Sequence, residues 1–241
     1  MNARWAVLQD VVRRLTEGWV SLTGAAVSIR GPRAGGWMGQ ALLLLAAMAI
    51  CGCASASVTP AEAWRVTFDD DAGWVASSDA IADVAIEDGR LRIHVYNPGQ
   101  IAWAFSEGTW GDLRLTVEAT QISGPHDNEY GVLMRMKDDQ HFLAFSISGD
   151  GYARVARFEN GRWTVVGRDW VPSDAVLQGE ATNKLEVIAQ GATYDFRVND
   201  RSVLQVEDPT LAQGRIGVYA GAFTEGDVVV AFDNLDVEPI P

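Results

Sequence analysis

The chain has 241 residues, 48% of them hydrophobic, and a formal net charge of -13 at neutral pH. That apolar fraction supplies a full core and excludes global disorder. The absence of a basic surface excludes nucleic acid as a partner, because nothing could displace phosphate counterions.

Leu8, Val11, Val12, Leu15, Trp19 and Leu22 have helical spacing, which allows a short amphipathic helix. Residues 1–36 are nonetheless unusual ahead of a signal segment, and the simpler expectation is a translation start further downstream. The apolar run Trp37 to Ile50 is shorter than the roughly 20 residues of a membrane-spanning helix. Arg30 and Arg33 precede it and small residues follow, the order of a secretory signal. Ile50-Cys51-Gly52-Cys53 resembles the bacterial lipoprotein signal, with an aliphatic residue three before the cysteine and glycine just before it. Cys51 fits poorly, because Ile50 would occupy the position that must be small, so Cys53 is the expected lipidated residue. An uncleaved anchor or an ordinary signal peptide is the alternative. Residues 1–52 are then extension and signal, 53–63 a tether, and 64–241 the domain. Cleavage before Cys53 removes five arginines and two acids, taking the net charge from -13 to -16. No other cysteine remains, so stability must come from packing rather than disulfides. The expected location is the bacterial cell envelope, outside the cytoplasm, with the membrane touched only through the lipid and the domain a monomer.

From Trp64 onward the sequence reads as strand after strand. Leu91, Ile93 and Val95 alternate with Arg90, Arg92 and His94, and Leu113, Leu115 and Val117 alternate with Arg114, Thr116 and Glu118. A period of two marks strands with one buried and one wet face. Asp88-Gly89, Asp150-Gly151, Asn160-Gly161 and Asn199-Asp200 separate such runs and suit hairpin turns with positive φ. Residues 174–179 could make one helical turn at most. The closing run Val228 to Val237 is expected to return beside the first strand, Trp64 to Phe68. Many short strands without helices predict an all-β fold, a two-sheet antiparallel jelly-roll sandwich.

Several blocks carry a family resemblance: Phe68-Asp69-Asp70 with Gly73-Trp74, then Tyr130-Gly131 through Arg135 to Asp138. Asn183 to Val187 followed by Val198-Asn199, Gly214 to Tyr219, and Phe232-Asp233-Asn234 complete it. With these the chain resembles the concanavalin A-like lectin/glucanase superfamily, near its 3-keto-disaccharide-hydrolase-like and laminin-G-like branches. The resemblance implies the sandwich and often a structural Ca²⁺ where first and last strands meet, with Asp69, Asp70 and Asp233 as oxygen ligands. It leaves activity open, since this fold hosts lectins, hydrolases and spacers.

Laminarinase-type members carry Glu-x-Asp-x-x-Glu on one strand. Here Glu225-Gly226-Asp227 is followed by Val230 at the third position, so that motif is missing. Glu118, Glu129 and Asp138 could still pair across strands, although such acids are usually solvated. His94, His126 and His141 lack metal-ligand or nucleophile spacing; His126, in the Gly124–Tyr130 loop, is the best placed for a ligand. Arg135 is expected on the face of Gly131 and Leu133, offering its guanidinium to a sugar or pairing with Asp138, Asp150 or Glu129. Asn128 and Tyr130 lie at the polar entry to that strand. Trp103, Trp110, Tyr130, Tyr152, Trp163 and Trp170 are the candidate aromatic platforms, Tyr152 and Trp163 the most accessible because each follows a glycine turn. The ligand-binding set is thus Asn128, Tyr130, Arg135, Tyr152 and Trp163, with no catalytic residue. The leading expectation is non-catalytic binding of a glycan or polysaccharide. A 3-keto-disaccharide-hydrolase-like enzyme and a protein-binding adhesion module are the alternatives.

Overall fold

The computed structural model describes residues 63–69, 74–75 and 79–240. The expectations for the signal segment, Cys53 and Asp70 lie outside these residues. Within them are sixteen strands and no helix.

All ladders are antiparallel. One sheet runs β14 (Arg201–Glu207), β13 (Thr193–Val198), β12 (Thr182–Gln190), β6 (Leu113–Ser123), β16 (Val228–Pro239), β4 (Arg90–Val95), β3 (Ala82–Glu87), with β1 (Trp64–Val66) paired to β16. The other runs β10 (Arg162–Val165), β9 (Tyr152–Glu159), β8 (His141–Ile147), β7 (Asn128–Asp138), β15 (Arg215–Ala222), β5 (Ile101–Ser106), β2 (Trp74–Val75), with β11 (Val171–Pro172) on β9. As expected, the last strand returns beside the first, Trp64 opposite Val237 and Val66 opposite Leu235.

The period-two residues fill the space between the sheets. Leu91, Ile93, Val95, Leu115 and Val117 of the first sheet meet Val132, Met134, Phe145, Val155 and Val218 of the second. Each such side chain contributes about 1.5–3 kcal/mol on burial, which is how the sandwich holds without a disulfide. Three hairpins turn through paired left-handed residues: Asp88-Gly89 (52° and 68°), Asn160-Gly161 (50° and 77°) and Asn199-Asp200 (50° and 66°). These are the conformations Asn, Asp and Gly tolerate best. Asp150-Gly151 differs, because only Gly151 has positive φ, and Ser148 Oγ donates to Asp150 Oδ1 at 2.5 Å.

One irregularity matters for the site. Arg135 has a φ of 54°, and the β7–β8 ladder shifts register between Met134 and Asp138. A bulge of this kind breaks the alternation of faces. The Arg135 side chain, 1% exposed, enters the interior, where Nη2 donates to Asp112 Oδ1 at 3.0 Å and Nη1 to the Trp110 carbonyl at 3.4 Å. Its guanidinium also lies 5.9 Å from the centre of the Tyr194 ring. The expectation that Arg135 shares the face of Gly131 is corrected: the bulge turns it into an internal tie between the two sheets.

Candidate functional site

The outward face of the second sheet carries its own side-chain cluster, separate from the interior: Leu133, Met136, Phe142, Ala144, Phe158 and Tyr219, flanked by Trp103, Phe105 and Trp163. Strand register arranges this face in rows. Trp103, Tyr219, Gly131, Ser146 and Arg154 stand side by side across β5, β15, β7, β8 and β9. The row on one side holds Ile101, Gly221 and Glu129, and the row on the other Phe105, Gly217, Leu133, Ala144 and Ala156. Each row has a glycine on β7 or β15, where neighbouring groups pack directly against the backbone: Ile101 and Glu129 fill the space beside Gly221. A Cβ on Gly131 would lie 2.0 Å from the Phe145 carbonyl oxygen, so no other residue fits.

One end of the face is polar. Arg154 Nη2 donates to Glu129 Oε2 at 2.8 Å, and both side chains are only 6% exposed. The Tyr219 hydroxyl donates to the same carboxylate oxygen at 3.3 Å and is itself hydrogen-bonded to Ser146 Oγ. Burial pushes the Tyr219 hydroxyl pKa well above its ordinary value, and the neighbouring Glu129 charge adds to this. The phenol therefore stays a proton donor, which suits a buried carboxylate in need of partners.

The other end is aromatic. Phe142, Phe158 and Trp163 form one register row. Phe158 lies 4.9 Å and Phe142 5.7 Å from the Trp163 ring, while Trp103 lies 6.1 Å from Phe142. Trp163 also reaches toward the polar end, 5.8 Å from the Arg154 guanidinium. Ahead of β11, Trp170 lies over that guanidinium at 4.7 Å and meets Phe223, which follows β15, edge-on at 5.8 Å. Its neighbour Asp169 approaches Arg154 Nη1 at 4.0 Å.

The structure brings together two of the five expected ligand residues. Trp163 belongs to the aromatic row, and Tyr152, half-buried, alternates onto the same face two residues from Arg154. Tyr130 does not join them: it lies in the interior, where burial pushes its pKa up to about 12. Asn128 is a loop staple, donating to the Pro125 carbonyl at 2.7 Å and accepting from the Gly149 N–H at 3.2 Å. Arg135 is internal, as described. Trp110 also packs inside, stacked 6.1 Å from Trp64. His126 packs beside Gly149 and Gly179. Glu118 binds Asn234 on the first sheet and Asp138 holds His141 in the β7–β8 turn, so neither joins Glu129. The residues that sequence reasoning missed are Arg154, Tyr219, Phe142 and Phe158, and the pairing of Glu129. Their signal was present as alternation along Tyr152-Ala153-Arg154-Val155-Ala156, but only the register joins them to β7 and β15.

For calcium, Asp69 Oδ2 accepts from Thr67 Oγ1 at 2.7 Å and Asp233 Oδ1 from the Asn234 N–H at 2.7 Å. Both carboxylates thus have local donors. Among the described residues no three His, Cys, Asp or Glu side chains converge as a metal site.

The architecture is that of a concanavalin A-like jelly-roll sandwich. The chain belongs to the 3-keto-alpha-glucoside-1,2-lyase-like domain family, whose sequence model matches residues 63–238. No curated protein matches the sequence. Among solved structures it is similar to the carbohydrate-binding module CBM66 from Bacillus subtilis, at 18% identity and a TM-score of 0.57, over 69% of this chain and 95% of that one. It is similar to Crh5 transglycosylase at 11% identity and a TM-score of 0.58, over 76% of this chain and 86% of that one. A prokaryotic beta-1,3-1,4-glucanase (lichenase) derived from a mouse hindgut metagenome gives 12% identity and a TM-score of 0.55, over 74% and 100%. At such identities the likeness is one of fold.

Proposed function

We propose that the outward face of the second sheet binds carbohydrate without cleaving it. The observation that carries this reading is the row Trp103–Tyr219–Gly131–Ser146–Arg154, which sets a partly exposed indole and fixed hydrogen-bonding groups on one face of the sheet. Sugar recognition combines these elements: flat rings for the C–H faces, fixed donors and acceptors for the hydroxyls. Likeness to a carbohydrate-binding module and to glycan-active folds supports it. Glu129 already accepts from Arg154 and Tyr219, an arrangement that presents fixed hydrogen-bonding groups rather than a free acid and base. A glycan array on the purified protein, followed by recovery of intact sugar, tests it.

The family favours a second reading, elimination on a 3-keto-α-glucoside. The ketone acidifies the neighbouring C2–H; a base takes that proton, the C1–C2 double bond forms, and the C1 substituent leaves with the electron pair of its bond. Glu129, aimed along this face, is the carboxylate that would serve. Release of free sugar from a 3-keto-α-glucoside, lost in Glu129→Gln, is the discriminating result.

The domain would be carried as a cell-surface lipoprotein through Cys53. Mass spectrometry that found Cys53 unmodified within an intact chain would remove that part. A Ca²⁺ ion at Asp69, Asp70 and Asp233 remains part of the proposal, with the burden on Asp70. Binding to the native state alone raises the melting midpoint with calcium concentration by mass action; equal midpoints in calcium and in chelator would count against it.

A further inference from the structure

Three polar atoms at the covered end of this face are buried and have no hydrogen-bond partner: Arg154 Nε, Trp170 Nε1 and Asp169 Oδ1. They belong to one patch, for Trp170 lies over the Arg154 guanidinium at 4.7 Å and Asp169 Oδ1 is 4.0 Å from Arg154 Nη1. Unpaired buried groups are costly and uncommon, and three within one patch ask for an occupant. The backbone there is also held out of its usual range, with Trp170 at a φ of 26°, a conformation that persists only where its surroundings impose it. Phe223 supplies part of that constraint through its edge-on contact with the indole.

The chemistry of the three atoms defines what fits. Arg154 Nε and Trp170 Nε1 can only donate, and Asp169 Oδ1 accepts. Neighbouring hydroxyls of a sugar ring meet both demands, because each hydroxyl accepts through its lone pairs and donates its own proton. Charge narrows the class further. Within this patch two carboxylates, Glu129 and Asp169, approach the Arg154 guanidinium, a local excess of one negative charge that disfavours a uronate or sulfated sugar there. We infer that Arg154, Asp169 and Trp170 form a polar subsite for one neutral sugar ring, reading a pair of adjacent hydroxyls, while Trp163 and the rings around it hold the next ring. This rests on the carbohydrate-binding reading of the face. It assigns specificity to Asp169 and Trp170, on a segment that joins the sheet only at its edge.

The test is calorimetric titration of the purified protein with cellotriose, laminaritriose, maltotriose, 1-kestose and trigalacturonic acid, repeated on variants whose melting midpoints are measured alongside. At least one neutral trisaccharide binds and trigalacturonic acid binds more weakly. Trp170→Phe, which keeps a ring over Arg154 but removes the indole N–H, weakens neutral binding about five- to tenfold. Asp169→Ala does the same, and neither lowers the melting midpoint of the free protein, since each removes a buried unpaired group; if Trp170→Phe loses its fold, Asp169→Ala decides alone. Binding that is lost in Trp163→Ala but unchanged in Asp169→Ala and in Trp170→Phe overturns the subsite while leaving the face as a sugar-binding surface. Failure of the wild-type protein to bind any of the four neutral sugars overturns the reading of the face, and the subsite with it. Tighter binding of trigalacturonic acid than of every neutral sugar overturns the neutral class.

Discussion

Arg154 reaches Glu129 diagonally across an intervening strand, donating from β9 over β8 to a carboxylate on β7 at 2.8 Å. Both groups sit on an outward face, yet both are nearly excluded from water. An ion pair in that setting is costly to break, because the remaining charge is left buried and alone. Arg154→Ala or Glu129→Gln therefore lowers unfolding free energy by about 3–5 kcal/mol, measured by urea titration. The double variant loses less than the sum of the two, as expected for residues in one network. Additive losses would mean that the contact carries no coupling.

Arg135 gives a contrasting result. Its guanidinium ties β7 to Asp112 and the Trp110 carbonyl inside the sandwich. Arg135→Ala should lower stability by about 3 kcal/mol, toward the smaller end for a buried pair because Asp112 is partly exposed. Sugar affinity of the folded fraction should be unchanged. A folded Arg135→Ala protein of wild-type stability that had lost binding would put the guanidinium on the ligand face after all.

That difference shows what the sequence could reveal. The alternation of Leu91, Ile93 and Val95, the hairpin pairs and the pairing of Trp64 with Val237 follow from a period of two and from turn residues tolerating positive φ. The same period, carried past Met134, places Arg135 on the wrong side, because a bulge leaves no mark in hydrophobic alternation. Trp163 and Tyr152 were legible because each follows a glycine turn within one hairpin. Glu129, Arg154 and Tyr219 were not: up to 90 residues separate them in the chain, and only the ladder order β9-β8-β7-β15 brings them together.

Buried tyrosines give the fold an alkaline limit. Burial raises the pKa of Tyr219 and Tyr194, and raises that of Tyr130 to about 12. Below pH 10 these phenols are protonated in both folded and unfolded states, so they add no pH dependence. As pH rises above about 10, the unfolded chain releases its phenolic protons and the folded chain keeps them, so stability falls with rising pH. Denaturant midpoints followed from neutral pH upward should drop beyond that point, more steeply than in Tyr219→Phe. A midpoint flat to the pH at which Tyr130 titrates would contradict it.

The most direct test of the account is a glycan array probed with the wild-type protein and with Trp163→Ala, followed by titration of the best neutral oligosaccharide and analysis of the recovered sugar. Few fully buried hydrogen bonds and one aromatic end predict millimolar to micromolar affinity, roughly 4–8 kcal/mol, lost or strongly weakened in Trp163→Ala, with the sugar recovered intact. Binding indifferent to Trp163→Ala, or turnover of the sugar abolished by Glu129→Gln, would contradict it.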